Sequence, residues 1–122
     1  MNSKKTILLV EDDLDISEAI QSILEEEGFE LKCSFNGKEA IDYLSEAPQM
    51  PDLILLDIMM PQMNGYQFRE VQLKDSRLAS IPTIILSAAG KCDDLDVYHF
   101  RDCLKKPLDL ETLIDVVHRN TD

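Results

Sequence analysis

Acids stand at the ends of two apolar runs. Glu11-Asp12-Asp13 follow directly on Ile7-Leu8-Leu9-Val10, and Asp57 follows Leu53-Ile54-Leu55-Leu56. In the last third of the chain, Lys106-Pro107 comes a few residues after Phe100. Carboxylates gathered at strand ends repel one another and have their pKa values pushed upward, a penalty that a divalent cation removes. Oxygen donors in small number suit Mg²⁺, which keeps several waters and accepts a phosphate in its shell. Asp12 and Asp57 read as metal ligands with Glu11 beside them. Asp13 reads instead as a cap on the helix that starts at Leu14, accepting from orphan backbone N–H groups. A carboxylate is also a nucleophile toward phosphorus, and Asp57 is placed to form an acyl phosphate. Lys106 would supply an ammonium to that phosphate and Ser87 a hydroxyl. Lys105 is adjacent, but its side chain falls on the other face, and proximity to Pro107 favours Lys106.

Such chemistry requires strand ends brought to one edge, and the hydropathy pattern provides them. Apolar runs at Thr6–Val10, Phe29–Ser34, Asp52–Leu56, Pro82–Leu86 and Asp102–Lys105 read as strands. Helical spacing runs over Leu14–Glu27, Lys38–Ser45, Tyr66–Lys74, Asp93–Phe100 and Leu108–Arg119. Gly28 is a helix stop, and Asn36-Gly37 marks a turn. Five alternating βα units predict an α/β fold: a parallel sheet with helices on both faces. Ligands bind such sheets outside the carboxyl ends of the strands, where the strand order reverses. The pattern does not fix that order.

Composition narrows the function. The 122 residues have the length of one domain, 1–122, with 44% hydrophobic residues to build a core. A formal charge of −12, from 24 acids against 12 Lys and Arg, repels nucleic acid and anionic membranes. Neither is expected as a partner. The odd set Cys33, Cys92 and Cys103 fits no zinc or redox spacing and reads as reduced thiols in a cytoplasmic protein. The N-terminal residues form neither a signal peptide nor a membrane span.

Taken together, the stretches Ile7–Asp13, Asp52–Pro61, Met63-Asn64-Gly65, Pro82–Ala88 and Lys105-Lys106-Pro107 resemble the receiver domain of two-component response regulators. The resemblance covers essentially the whole chain. It implies a flavodoxin-like, doubly wound sheet in the order 2-1-3-4-5 with five helices. It implies that Asp57 accepts a phosphoryl group from a sensor histidine kinase or histidine phosphotransfer protein, and that an unidentified downstream protein reads the result. Asp12, Asp57 and the Met59 carbonyl would hold Mg²⁺, with Glu11 acting through a water. Ser87 would bond the phosphoryl oxygen, with Ala88 beside it in the phosphoryl-binding set, and Lys106 would pair with the phosphate. The Lys106–Pro107 bond would be cis, and Gly65 would adopt a backbone conformation closed to bulkier residues.

Two positions depart from the family pattern. Cys103 stands where a switching Tyr or Phe is usual, three residues before the lysine, so switching through Ser87 and Cys103 cannot use a swinging aromatic. Met59 and Ala89, each two residues past a key residue, are apolar and cannot position an attacking water, which implies a long-lived acyl phosphate. Three other functions compete. One is a degenerate receiver that docks independently of phosphorylation, which Cys103 favours and the intact Asp12, Asp57, Ser87 and Lys106 oppose. A flavin carrier would need a phosphate cradle where Glu11-Asp12-Asp13 stand. An aspartate phosphatase would want an acid at Met59. The expected protein is thus a signalling switch that acts on its own Asp57, and not a turnover enzyme on an external substrate.

Overall fold

The computed structural model describes residues 4–60, 63–87 and 100–121. Five strands, β1 (Thr6–Val10), β2 (Glu30–Ser34), β3 (Leu53–Asp57), β4 (Thr83–Ser87) and β5 (Asp102–Lys105), form one sheet in the order β2-β1-β3-β4-β5. Every pairing is parallel. From β1 the chain steps one way to β2 and the other way to β3, so the order reverses between β1 and β3. The helices are α1 (Leu14–Glu26), α2 (Gly37–Glu46), α3 (Gly65–Lys74) and α4 (Leu110–Thr121). These are four of the five expected helices. Apart from Phe100, the segment expected to form the other, Asp93–Phe100, lies outside the described residues.

The apolar runs are strands because both sheet faces are covered. Alternate residues of β1 point to opposite layers. Ile7 and Leu9 meet Ile20 and Leu24 of α1 and Leu113 and Val117 of α4. Leu8 and Val10 meet Ala40 and Leu44 of α2 and Phe68 of α3. No residue of β1, β3 or β4 is exposed. Gly28 ends α1 with φ +95, a left-handed conformation that suits glycine.

α3 is the least amphipathic of the described helices, and its packing explains why. Besides Phe68 it buries Arg69 and Gln72. Gln72 Nε2 donates to the Leu78 and Ile81 carbonyls at 3.0 and 3.3 Å. Arg69 Nη1 donates to Thr83 Oγ1 at 3.1 Å, and its guanidinium lies 5.3 Å from the centre of the Phe100 ring. These bonds tie α3 to the turn before β4, where the Leu78 carbonyl also accepts from the Ile81 amide and the Ile81 carbonyl from the Thr83 hydroxyl.

Candidate functional site

The register brings the polar residues to one edge. Val10 lies opposite Leu56, Asp57 opposite Leu86, and Ser87 opposite Lys105. Glu11, Asp57, Ser87 and Lys106 therefore emerge at the carboxyl ends of four adjacent parallel strands. The Glu11 amide donates to the Ser34 carbonyl, and the Lys106 amide to the Ser87 carbonyl, so the ladders continue past the strands.

Carboxylate oxygens of Glu11, Asp12 and Asp57 lie within 4.8 Å of one another. Glu11 and Asp57 are buried, and Asp12 is exposed. Lys106 Nζ sits among them, 2.8 Å from Glu11 Oε1 and 3.4 Å from Asp57 Oδ1. Asp57 Oδ1 also accepts from the Met59 amide at 3.2 Å. Glu11 Oε2 accepts from the Asp13 amide at 3.1 Å. Glu11 Oε1 is held by the Lys106 ammonium at 2.8 Å.

The electrostatics of the cluster are strained. Burial pushes the Asp57 carboxyl from its ordinary 3.8 up to about 7, and the neighbouring Glu11 adds to the push. Lys106 and the Met59 amide pull the other way and are outweighed. Burial by itself would lower Lys106, but the Glu11 and Asp57 carboxylates hold its ammonium above the ordinary value. One lysine thus shares two buried acids. A hard divalent cation fits this donor set: the ligands are all oxygen, one ammonium serves two buried carboxylates, and Asp57 ionises at a cost that a cation would remove.

Asp13 is the cap of α1, accepting from the Asp15 and Ile16 amides at 2.9 and 3.2 Å. The Lys106–Pro107 bond is cis, as expected. Met59 is 71% exposed beside the acids. Ala88 and Ala89 lie outside the described residues.

Two expectations need correcting. Gly65 was expected to need an unusual backbone conformation, yet among the described glycines only Gly28 has positive φ. Close approach constrains Gly65 instead: a Cβ there would stand 2.8 Å from the Asp57 carbonyl oxygen and from Ile58 Cα. The Gly65 amide donates to the Ile58 carbonyl at 2.9 Å, pressing the start of α3 onto the strand end that carries Asp57. The cysteines were expected to be reduced. Cys33 is a free thiol, but Cys103 is disulfide-bonded. An odd count excludes a fully paired set, but not one bridge. Cys103 is half-buried against the core layer of Leu8 and Val10. Cys92 lies outside the described residues.

Gly37 was read only as part of a turn, but it braces the same region. A Cβ on it would meet Met63 O at 2.8 Å, so the start of α2 lies against the loop after β3. The Asn-Gly pair was the available signal, but sequence spacing gave no indication that Met63 would pack against it.

Residues 7–118 match the family described as the response regulator receiver domain. Response regulator Rre1 of Synechocystis sp. is 37% identical, covering 92% of this chain and 49% of its own length. Protein PilH of Pseudomonas aeruginosa is 30% identical, covering 92% and 93%. The chain spans about half the length of the first curated relatives it matches. Among solved structures, the signal receiver domain of a signal transduction histidine kinase from Syntrophus aciditrophicus superposes with a TM-score of 0.84 at 33% identity, covering 96% of this chain and 89% of that one.

Proposed function

We propose that this chain, which belongs to the response regulator receiver domain family, is a phosphoacceptor signalling protein whose acceptor is the Asp57 carboxylate. Receiver domains are signalling modules, not turnover enzymes on external substrates, and they interact with histidine kinases or phosphotransfer proteins. The observation that carries the assignment is a buried aspartate set between Glu11 and the Lys106 ammonium at the carboxyl edge of the sheet. An Asp57 oxygen attacks the phosphorus of a phosphohistidine. A P–O bond forms, the P–N bond breaks, and the imidazole keeps the electron pair and takes up a proton from solvent.

Each neighbour has a part in that reading. Lys106, 3.4 Å from Asp57 Oδ1, is close enough to follow the new negative charge. Ser87, at the end of β4, offers its hydroxyl, with Ala88 beside it. Asp12, Asp57 and the Met59 carbonyl would hold Mg²⁺, with Glu11 acting through water. Bound Mg²⁺ would neutralise charge on the phosphoryl oxygens. Exposed apolar side chains at Leu14, Met59 and Leu110, on segments that leave the sheet at this edge, suit a phosphodonor protein.

The 122 residues act as one receiver unit in the cytoplasm, and no helix among the described residues is long and apolar enough to cross a membrane. A downstream protein reads the surface of β5 and α4; apart from Phe100, the segment Asp93–Phe100, also expected to take part, lies outside the described residues. With Cys103 in β5, the switch acts without a swinging aromatic. The net charge of −12 argues against direct contact of these residues with nucleic acid. The reading is tested by incubating wild type and Asp57→Asn with Mg²⁺ and a small-molecule phosphodonor and recording intact mass. One phosphoryl group is expected on wild type alone, and none in EDTA. Failure to load, even from several histidine kinases, would favour a constitutive docking module.

A further inference from the structure

At the opposite end of the sheet, away from the acids, Lys4, Lys5 and Lys32 line a groove of about 610 Å³ beneath the end of α2. Acids outnumber bases 24 to 12 in this chain, so an average lysine has carboxylates nearby. These three have no ion pair among the described residues, whose pairs involve Lys38, Lys106, His118 and Arg119. The two acids that share the groove are exposed, and each is engaged with Thr6. Asp52 Oδ2 accepts from the Thr6 amide at 2.8 Å, and Glu30 Oε2 lies 3.5 Å from the Thr6 hydroxyl. Tyr43 and Met50 add a half-buried apolar floor that continues into the core. β2, which contributes Lys32, is an edge strand with one side of its backbone unpaired in the sheet.

We propose that this groove docks an extended acidic segment of a partner protein, with an apolar side chain set on Tyr43 and Met50 and its carboxylates on the three lysines. The charge pattern selects this occupant. A membrane surface or a long nucleic acid would meet the field of the whole molecule, net −12, and be repelled. A short segment lying in the groove meets the lysines first, because charges beyond about 8 Å are screened at physiological ionic strength. An edge strand beside pockets for alternate side chains is a recurrent seat for extended peptides. The site goes beyond the phosphoacceptor reading and does not depend on it.

The test titrates the isotope-labelled full chain with an acetylated octapeptide of alternating Glu and Leu, followed by amide resonances. Shifts are expected at Lys5, Thr6, Lys32, Tyr43 and Met50 and not at Glu11 or Asp57. A Lys4→Glu/Lys5→Glu/Lys32→Glu variant should weaken binding by about tenfold or more, because three exposed attractions become repulsions. Its amide spectrum and urea midpoint serve as controls for folding, and Lys32→Gln provides a milder variant. The same peptide with Gln for Glu should not bind. No shifts up to millimolar peptide, shifts spread over the surface, or equal binding by the triple variant would each overturn the proposal. So would stronger, lysine-dependent binding to phosphatidylserine vesicles, which would make the groove a lipid site.

Discussion

Replacing Asp57 by Asn should change how stability responds to pH in a way that reads the acid cluster directly. In the metal-free fold the Asp57 carboxyl ionises at about 7 instead of 3.8. Over that interval the native chain holds a proton that the unfolded chain has lost. Its contribution to stability is therefore complete below the unfolded pKa, falls as pH rises, and is gone above the native one. A shift of about three units corresponds to roughly 4 kcal/mol, of which ~3 kcal/mol falls between pH 5 and pH 8. Asn has nearly the same shape and no charge. Urea unfolding in EDTA should show the stability of Asp57→Asn minus that of wild type growing by about this ~3 kcal/mol from pH 5 to pH 8. Taking the difference cancels groups that titrate alike in both proteins. Mg²⁺ added at pH 8 should stabilise wild type well above the variant, because a ligand of the native state adds its binding free energy. If the difference is the same at both pH values, Asp57 ionises as freely in the fold as out of it, and the account of a strained pocket awaiting a cation is wrong.

Other measurements probe the supports. Gly65→Ala places a methyl 2.8 Å from backbone atoms that cannot step aside, and should cost about 1–3 kcal/mol in urea unfolding; a cost below the error of the fit would show that α3 can lift off the strand end. Gln72→Leu removes one of two donors from each of the Leu78 and Ile81 carbonyls and should cost about 1–3 kcal/mol, whereas a neutral result would mean that the remaining bonds suffice. Met59→Asn puts a polar group beside the acyl phosphate and should shorten its lifetime several-fold by mass spectrometry. Equal decay of the two proteins would remove Met59 as the brake. Thiol titration of the denatured, unreduced protein should find fewer than three free thiols, with Cys33 among them; three would contradict the bridge at Cys103.

The sheet was legible in the sequence because β1 and β3 are buried on both faces, which a continuous apolar run declares without ambiguity. The acid pocket was legible for the same reason, since a carboxylate directly after such a run can only stand at the strand's end. Boundaries at β3 and β4 were placed one residue early. Asp57 and Ser87 are polar and read as loop, yet the ladder holds them in the strands, with the Ile58 amide still donating to Leu86. The buried face of α3 was not legible, because Arg69 and Gln72 look like surface residues until the Thr83 hydroxyl and the turn carbonyls they bond are known. The reason for Gly65 was missed because steric contact with a distant stretch leaves no mark on local pattern. The sharing of Lys106 between Glu11 and Asp57 was likewise out of reach, since spacing shows which groups gather and not which of them touch.

The bond from the Lys106 amide to the Ser87 carbonyl, 2.9 Å long, gives the molecule a mechanical property. It is the terminal rung joining β4 to β5, and the hydroxyl and the ammonium hang from its two ends. Were phosphorylation to move the Ser87 backbone, this bond would couple the movement to Lys106 and the outermost strand without any side chain turning over. Such a coupling would need no aromatic at Cys103. Hydrogen exchange at the Lys106 amide, compared before and after phosphorylation, would show whether the rung stays closed under load, as this route requires.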